Sequence, residues 1–157
     1  MSRSTDWNVL IQGYLSLMWC QDSIAPENQD KKLSVLLGEF QNKNEGITPL
    51  NIGSLLSSAY ICFMYPQQTE FENLNFESIS ADNFSIIYGR DGDAKYRCRR
   101  IRNSLAHARF QVSKEMFIFE DQDPRGNDKF KATIKACHFG DFLNNFFHEC
   151  KNQYFNR

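Results

Sequence analysis

A chain of 157 residues has room for one domain built on one hydrophobic core. With 41% hydrophobic and 14% aromatic residues, 14 Phe among them, it is too apolar to be read as disordered. A net charge of −1 rules out recognition of a partner through bulk charge, so only the distribution of charge can point to one.

The N-terminus reads Ser2-Arg3-Ser4-Thr5-Asp6 before any apolar run, and no stretch approaches the roughly 20 apolar residues of a membrane span. Neither a signal peptide nor a membrane partner is therefore expected. The five cysteines, Cys20, Cys62, Cys98, Cys137 and Cys150, are odd in number, irregularly spaced and without a CxxC pair. That pattern predicts a reducing, cytoplasmic setting with the thiols serving as small buried hydrophobes.

The first predicted helix starts after Ser4 or Thr5, either of which can cap it, and carries Trp7, Leu10, Ile11, Tyr14, Leu15 and Met18 at helical spacing. A loop with Pro26 follows, then a short helix around Leu33, Leu36, Leu37 and Phe40 that breaks at 42–46. Thr48 and Pro49 read as cap and first turn of the next helix, whose stripe is Ile52, Leu55, Leu56, Ala59, Tyr60 and Phe63 and which stops before Pro66. Residues 66–93 are acidic and rich in Asn and Ser, with a short helix expected at 83–88. A basic helix is predicted at 94–108, followed by a change of period from 3.6 to about 2. Strands are read at 109–112, 116–120 and 130–136, with a turn at 123–128. The closing helix, 139–154, buries Phe139, Phe142, Leu143, Phe146, Phe147 and Cys150. The expected architecture is one domain over 1–157, mainly α: a helical bundle with a small antiparallel β-hairpin or three-stranded insert before the C-terminal helix.

Charge is concentrated in the basic helix. Residues 94–114 hold Lys95, Arg97, Arg99, Arg100, Arg102, Arg109 and Lys114 and no acid, so the remainder carries 11 bases against 19 acids, or −8. Such a segment is either a polyanion site or a solvated face paired with acids from elsewhere in the fold. On a helical wheel Cys98, Ile101, Leu105 and Ala108 form the core stripe. Asn103 and His107, one turn apart, point the other way with Tyr96 and Arg100 beside them, and Arg102 sits on the flank. An imidazole displayed among guanidinium groups suits proton transfer, with arginine gripping phosphate. Neighbouring cations are also expected to keep His107 neutral and ready to act as a base. These groups fit RNA cleavage in which a base takes the ribose 2′-OH proton, the oxygen attacks phosphorus and an acid protonates the leaving oxygen. Neither metal nor cofactor is required. One histidine supplies one proton transfer at a time, so a symmetric dimer would supply both. Cys137, His138, His148 and Cys150 fit no standard zinc spacing, and the acids at 91 and 93 suit a helix-capping loop better than a metal site.

The run Arg102-Asn103-Ser104-Leu105-Ala106-His107, late in a helix and leading through Ala108-Arg109-Phe110 into a strand, resembles the Arg-polar-x-x-x-His signature of the HEPN family. The hairpin and the Phe-rich closing helix resemble the bacterial and plasmid-borne branch met among toxin and phage-defence proteins. The resemblance covers about the C-terminal 65 residues well and the N-terminal helices by pattern alone. It implies a helical bundle, homodimerisation with two motifs in one cleft, and metal-independent endoribonuclease activity carried by Arg102, His107 and Asn103. Lys95, Arg97, Arg99, Arg100 and Arg109 would then bind RNA, and a cognate antitoxin is a candidate partner. The alternatives are a non-catalytic HEPN module binding RNA, nucleotide or protein, and a helical antitoxin or scaffold subunit. Some toxin members carry a Tyr two residues after the histidine that a nucleotidyltransferase modifies; Arg109 stands there in this chain, which argues against that form of control.

Overall fold

A computed structural model describes residues 7–49, 51–66, 68–90, 92–113 and 115–155. The chain divides into two compact units, 1–57 and 58–157.

The first unit contains α1 (Trp7–Ile24), a 3-10 turn (Pro26–Asn28), α2 (Leu33–Lys43) and the first turns of α3 (Ile52–Met64). The expected caps of α1, Ser4 and Thr5, lie outside the described residues. Trp19 meets Phe40 edge-on at 5.4 Å, and Leu36, Phe40 and Leu56 are buried. Ile11 and Tyr14, expected on the inner stripe of α1, are exposed together with Leu17. α3 begins later than Thr48 and Pro49 suggest, because Asn51 makes the better cap. Its Oδ1 accepts from Ser54 N at 3.2 Å while Ser54 Oγ accepts from Asn51 N at 2.9 Å, a reciprocal box that satisfies two amides at once. Gly53 is required by close approach: a Cβ there would collide with the backbone of Gln12 and Gly13.

The second unit contains the rest of α3, α4 (Gln68–Glu72), β1 (Ser85–Tyr88), α5 (Ala94–Ala106), β2 (Phe110–Ser113), β3 (Met116–Gln122), β4 (Lys129–Lys135) and α6 (Ala136–Phe155). The sheet is antiparallel, four-stranded and ordered β1-β4-β3-β2. This corrects the expected hairpin or three-stranded insert, and also the short helix expected at 83–88. Ser85 and Ile86 instead pair with Thr133 and Ala132, closing the edge of β4 that a β2-β3-β4 meander would leave open. Two adjacent isoleucines suit the strand better than a helical turn. The helical class holds, with six α-helices and these four strands among the described residues.

Alternation along β3 and β4 turns Phe117, Phe119, Phe130, Ala132 and Ile134 inward. There they meet a cluster of rings. Phe63 stacks on Phe146 at 4.6 Å, Phe117 lies 4.7 Å from Phe139, and Phe84 meets Phe142 edge-on at 4.9 Å. Into this core α5 inserts Cys98, Ile101 and Leu105. Cys98 and Cys150 behave as buried hydrophobes; burial raises the thiol pKa of both, that of Cys150 to about 12. Cys20 and Cys137, expected to be buried too, are exposed.

Candidate active site

The site is built on α5 and on the way that helix starts and stops. Asp93 caps it, its Oδ1 accepting from Tyr96 N at 2.8 Å. The far end is closed by a paired motif: Ala108 N donates to Leu105 O at 3.1 Å and Arg109 N donates to Ser104 O at 2.7 Å. The motif needs a left-handed residue at position 108, and the alanine there has φ +50°. His107 is therefore not inside the helix but is its C-terminal cap, exposed, with its amide bonded to Asn103 O at 3.0 Å. A glycine would hold φ +50° without the Cβ clash, so Ala108→Gly should raise stability by about 0.5–1 kcal/mol in urea denaturation. A loss of stability would mean that the turn tolerates the alanine without strain.

The face carrying Tyr96, Arg100 and Asn103, which the wheel assigns to solvent, is covered by β3 and the β3–β4 turn. At its centre lies Asp121, whose side chain is only 2% exposed. It accepts from Arg100 Nη1 at 2.8 Å and from Asn103 Nδ2 at 3.1 Å, and pairs with Arg109 Nη1 at 3.5 Å. The second Arg100 nitrogen reaches Asp128, to which the Tyr96 hydroxyl donates at 3.2 Å. The Tyr96 ring lies beneath two guanidinium groups, Arg90 at 4.3 Å and Arg100 at 5.2 Å. Burial works against the Arg100 cation, but its bonds to Asp121 and Tyr96 outweigh that and raise its pKa. Ser104 Oγ reaches Glu120 O at 2.8 Å, tying the same helix to β3.

The remaining predicted residues are held differently. Arg102 is buried: it donates from Nη2 to Pro66 O at 3.1 Å and lies 4.8 Å over the Phe71 ring. Arg97 donates to Ala81 O at 2.8 Å and pairs with Asp82 at 3.7 Å. Lys95 and Arg99 both face Glu72, each at 3.7 Å. Of the two readings of the basic cluster, pairing with acids from elsewhere in the fold describes Lys95, Arg97, Arg99, Arg100 and Arg109. His107 is thus not ringed by open guanidinium groups as the wheel suggests, because Arg100 and Arg102 turn to internal partners. Asn103 is half-buried beside Asp121, and His107 is exposed to solvent. The residue missed in the sequence is Asp121. Its signal was the alternation of β3, which carries the buried set Phe117, Phe119 through to a carboxylate.

Residues 1–157 match the family model described as HEPN pEK499 p136. The chain belongs to this HEPN family. No curated protein and no solved structure matches it. The HEPN match takes in the N-terminal helices as well as the motif-bearing half that carries the resemblance. Among the described residues of this HEPN chain, no group of three or more His, Cys, Asp or Glu could hold a metal ion, and no helix is long and apolar enough to cross a membrane.

Proposed function

We propose that this HEPN chain is a metal-independent endoribonuclease that acts as a homodimer. The observation that carries the reading is the exposed imidazole of His107 at the end of α5, held there by the backbone turn at Ala108 and by the Asp121 network one turn back. His107 takes the proton of a ribose 2′-OH, and that oxygen attacks the adjacent phosphorus. The P–O5′ bond breaks, leaving a 2′,3′-cyclic phosphate, and a second imidazole protonates the departing 5′ oxygen. A two-fold dimer that brings two copies of His107 together supplies both transfers. The Asp121 carboxylate accepts from the Asn103 amide nitrogen, so the amide oxygen is left to face the imidazole or the ribose. The setting of such an enzyme is that of a toxin or phage-defence effector held in check by a cognate antitoxin.

A specific observation favours a second reading. Arg100 and Arg102 are both engaged by internal partners, which suits a non-catalytic HEPN module binding RNA, nucleotide or a protein. The two separate on one experiment, incubation of the purified chain with RNA in EDTA beside His107→Ala. Cleavage by the wild type that the variant loses supports the first reading; tight binding with the RNA left intact supports the second.

A further inference from the structure

On the α5 side of the sheet, where β1 ends and the β3–β4 turn folds back, an open depression of about 750 Å³ is lined by Tyr88, Arg90, Asn127, Asp128 and Lys129. Gly89, at φ +117°, lets the chain leave β1 close against Lys129 and Phe130, where a Cβ would come within 3.0 Å of the Lys129 carbonyl. We propose that this depression binds a nucleotide of single-stranded RNA flanking the cleaved bond, an inference that rests on the ribonuclease reading above.

Three features point to that ligand. The first is charge. Four of the five cations of α5 face acids within 4.0 Å: Lys95 and Arg99 face Glu72, Arg97 faces Asp82, and Arg100 faces Asp121 and Asp128, while the fifth, Arg102, donates to Pro66 O. Arg90 and Lys129 are exposed and, among the described residues, have no such partner. These two cations beside the depression are therefore open to phosphate. The second is a stacking surface. Tyr88 is 44% exposed at the rim, and a phenol ring accepts any base on its face. Asn127, also exposed, can donate and accept at a base edge.

The third is connection to the motif. Arg90 rests on Tyr96, the Tyr96 hydroxyl donates to Asp128, and Asp128 pairs with Arg100, which meets Asn103 at Asp121. The depression thus belongs to the same side-chain network as the proposed catalytic residues. The rise along α5 from Tyr96 to His107 is about 16 Å, a distance that a strand crosses in a few nucleotides.

The test uses fluorescence anisotropy of a labelled single-stranded oligonucleotide, 2′-O-methylated so that it cannot be cut, with the full chain in EDTA. Tyr88→Ala should weaken binding about tenfold. Arg90→Gln and Lys129→Gln should each weaken it and lower the salt slope by about one. Lys95→Gln and Arg99→Gln, each of which faces Glu72, should weaken it less than these three. Greater losses in the Lys95 and Arg99 variants than in the other three would overturn the proposal, as would a wild-type chain that does not bind. The fate of cleavable RNA keeps the two ideas apart. Binding that depends on Tyr88 without cleavage leaves the nucleotide site standing and removes the nuclease. Cleavage with Tyr88→Ala binding as wild type does the reverse.

Discussion

Replacing Asp121 with alanine should cost the fold about 3 kcal/mol or more. The carboxylate is 2% exposed and receives Arg100, whose own side chain is 10% exposed. Removing it leaves a guanidinium in a dry site with half of its compensation gone, and stranding a buried charge in this way costs about 3–5 kcal/mol. Asn103 and Arg109 lose the same partner. Asp128 still holds the other side of Arg100, which places the expectation at the lower end of that range. In thermal unfolding the loss corresponds to a midpoint lowered by about 6–12 °C. Asp128→Ala is the control. Its side chain is 42% exposed, so water can replace it, and a loss below about 1 kcal/mol is expected. Equal, small losses in both variants would show that Arg100 is solvated and that the network does not hold α5 to β3.

His107→Ala should lower the turnover number for RNA cleavage by about 10² to 10⁴-fold, the usual contribution of a positioned acid or base. Its stability should change little, because the side chain is exposed and the turn that follows it is made by backbone groups of Ser104, Leu105, Ala108 and Arg109. Arg102→Ala is a less clean probe of the chemistry. Arg102 is buried over Phe71 and bonded to Pro66 O, so its removal disturbs packing and activity together. A His107→Ala chain as active as wild type at equal folded concentration would take the imidazole out of the reaction.

Much of this architecture was legible along the chain where the signal is local. Phe139, Phe142 and Phe146 of α6, Cys98, Ile101 and Leu105 of α5 and the alternation of β3 and β4 each lie within a single element, though Phe147 and Ala108, read on the same stripes, are exposed, and the turn at 123–128 announces itself through Pro124 and Gly126. What was not legible depends on distant partners. Ser85 and Ile86 become a strand because Thr133 and Ala132 offer an open edge, and four residues are too few to show a period. Asn51 caps α3 in place of Thr48 because Ser54 returns the hydrogen bond. The covered face of α5 is hidden from the sequence for the same reason. A wheel separates core from non-core faces, but it cannot show that β3 covers the second face of α5, and so it displays Arg100 to solvent when Asp121 holds it inside. His107 escapes that fate because the helix ends beneath it.

The chemistry of the cut ends tests the central claim most directly. Attack by the ribose 2′-OH predicts that the wild-type chain in EDTA releases 5′ fragments ending in 2′,3′-cyclic phosphate, and that one 2′-deoxy substitution at the cleaved nucleotide abolishes the cut. Mass spectrometry of the products reads both. Fragments carrying 3′-hydroxyl and 5′-phosphate ends, or continued cutting at the deoxy position, would mean that water and not the neighbouring hydroxyl is the nucleophile.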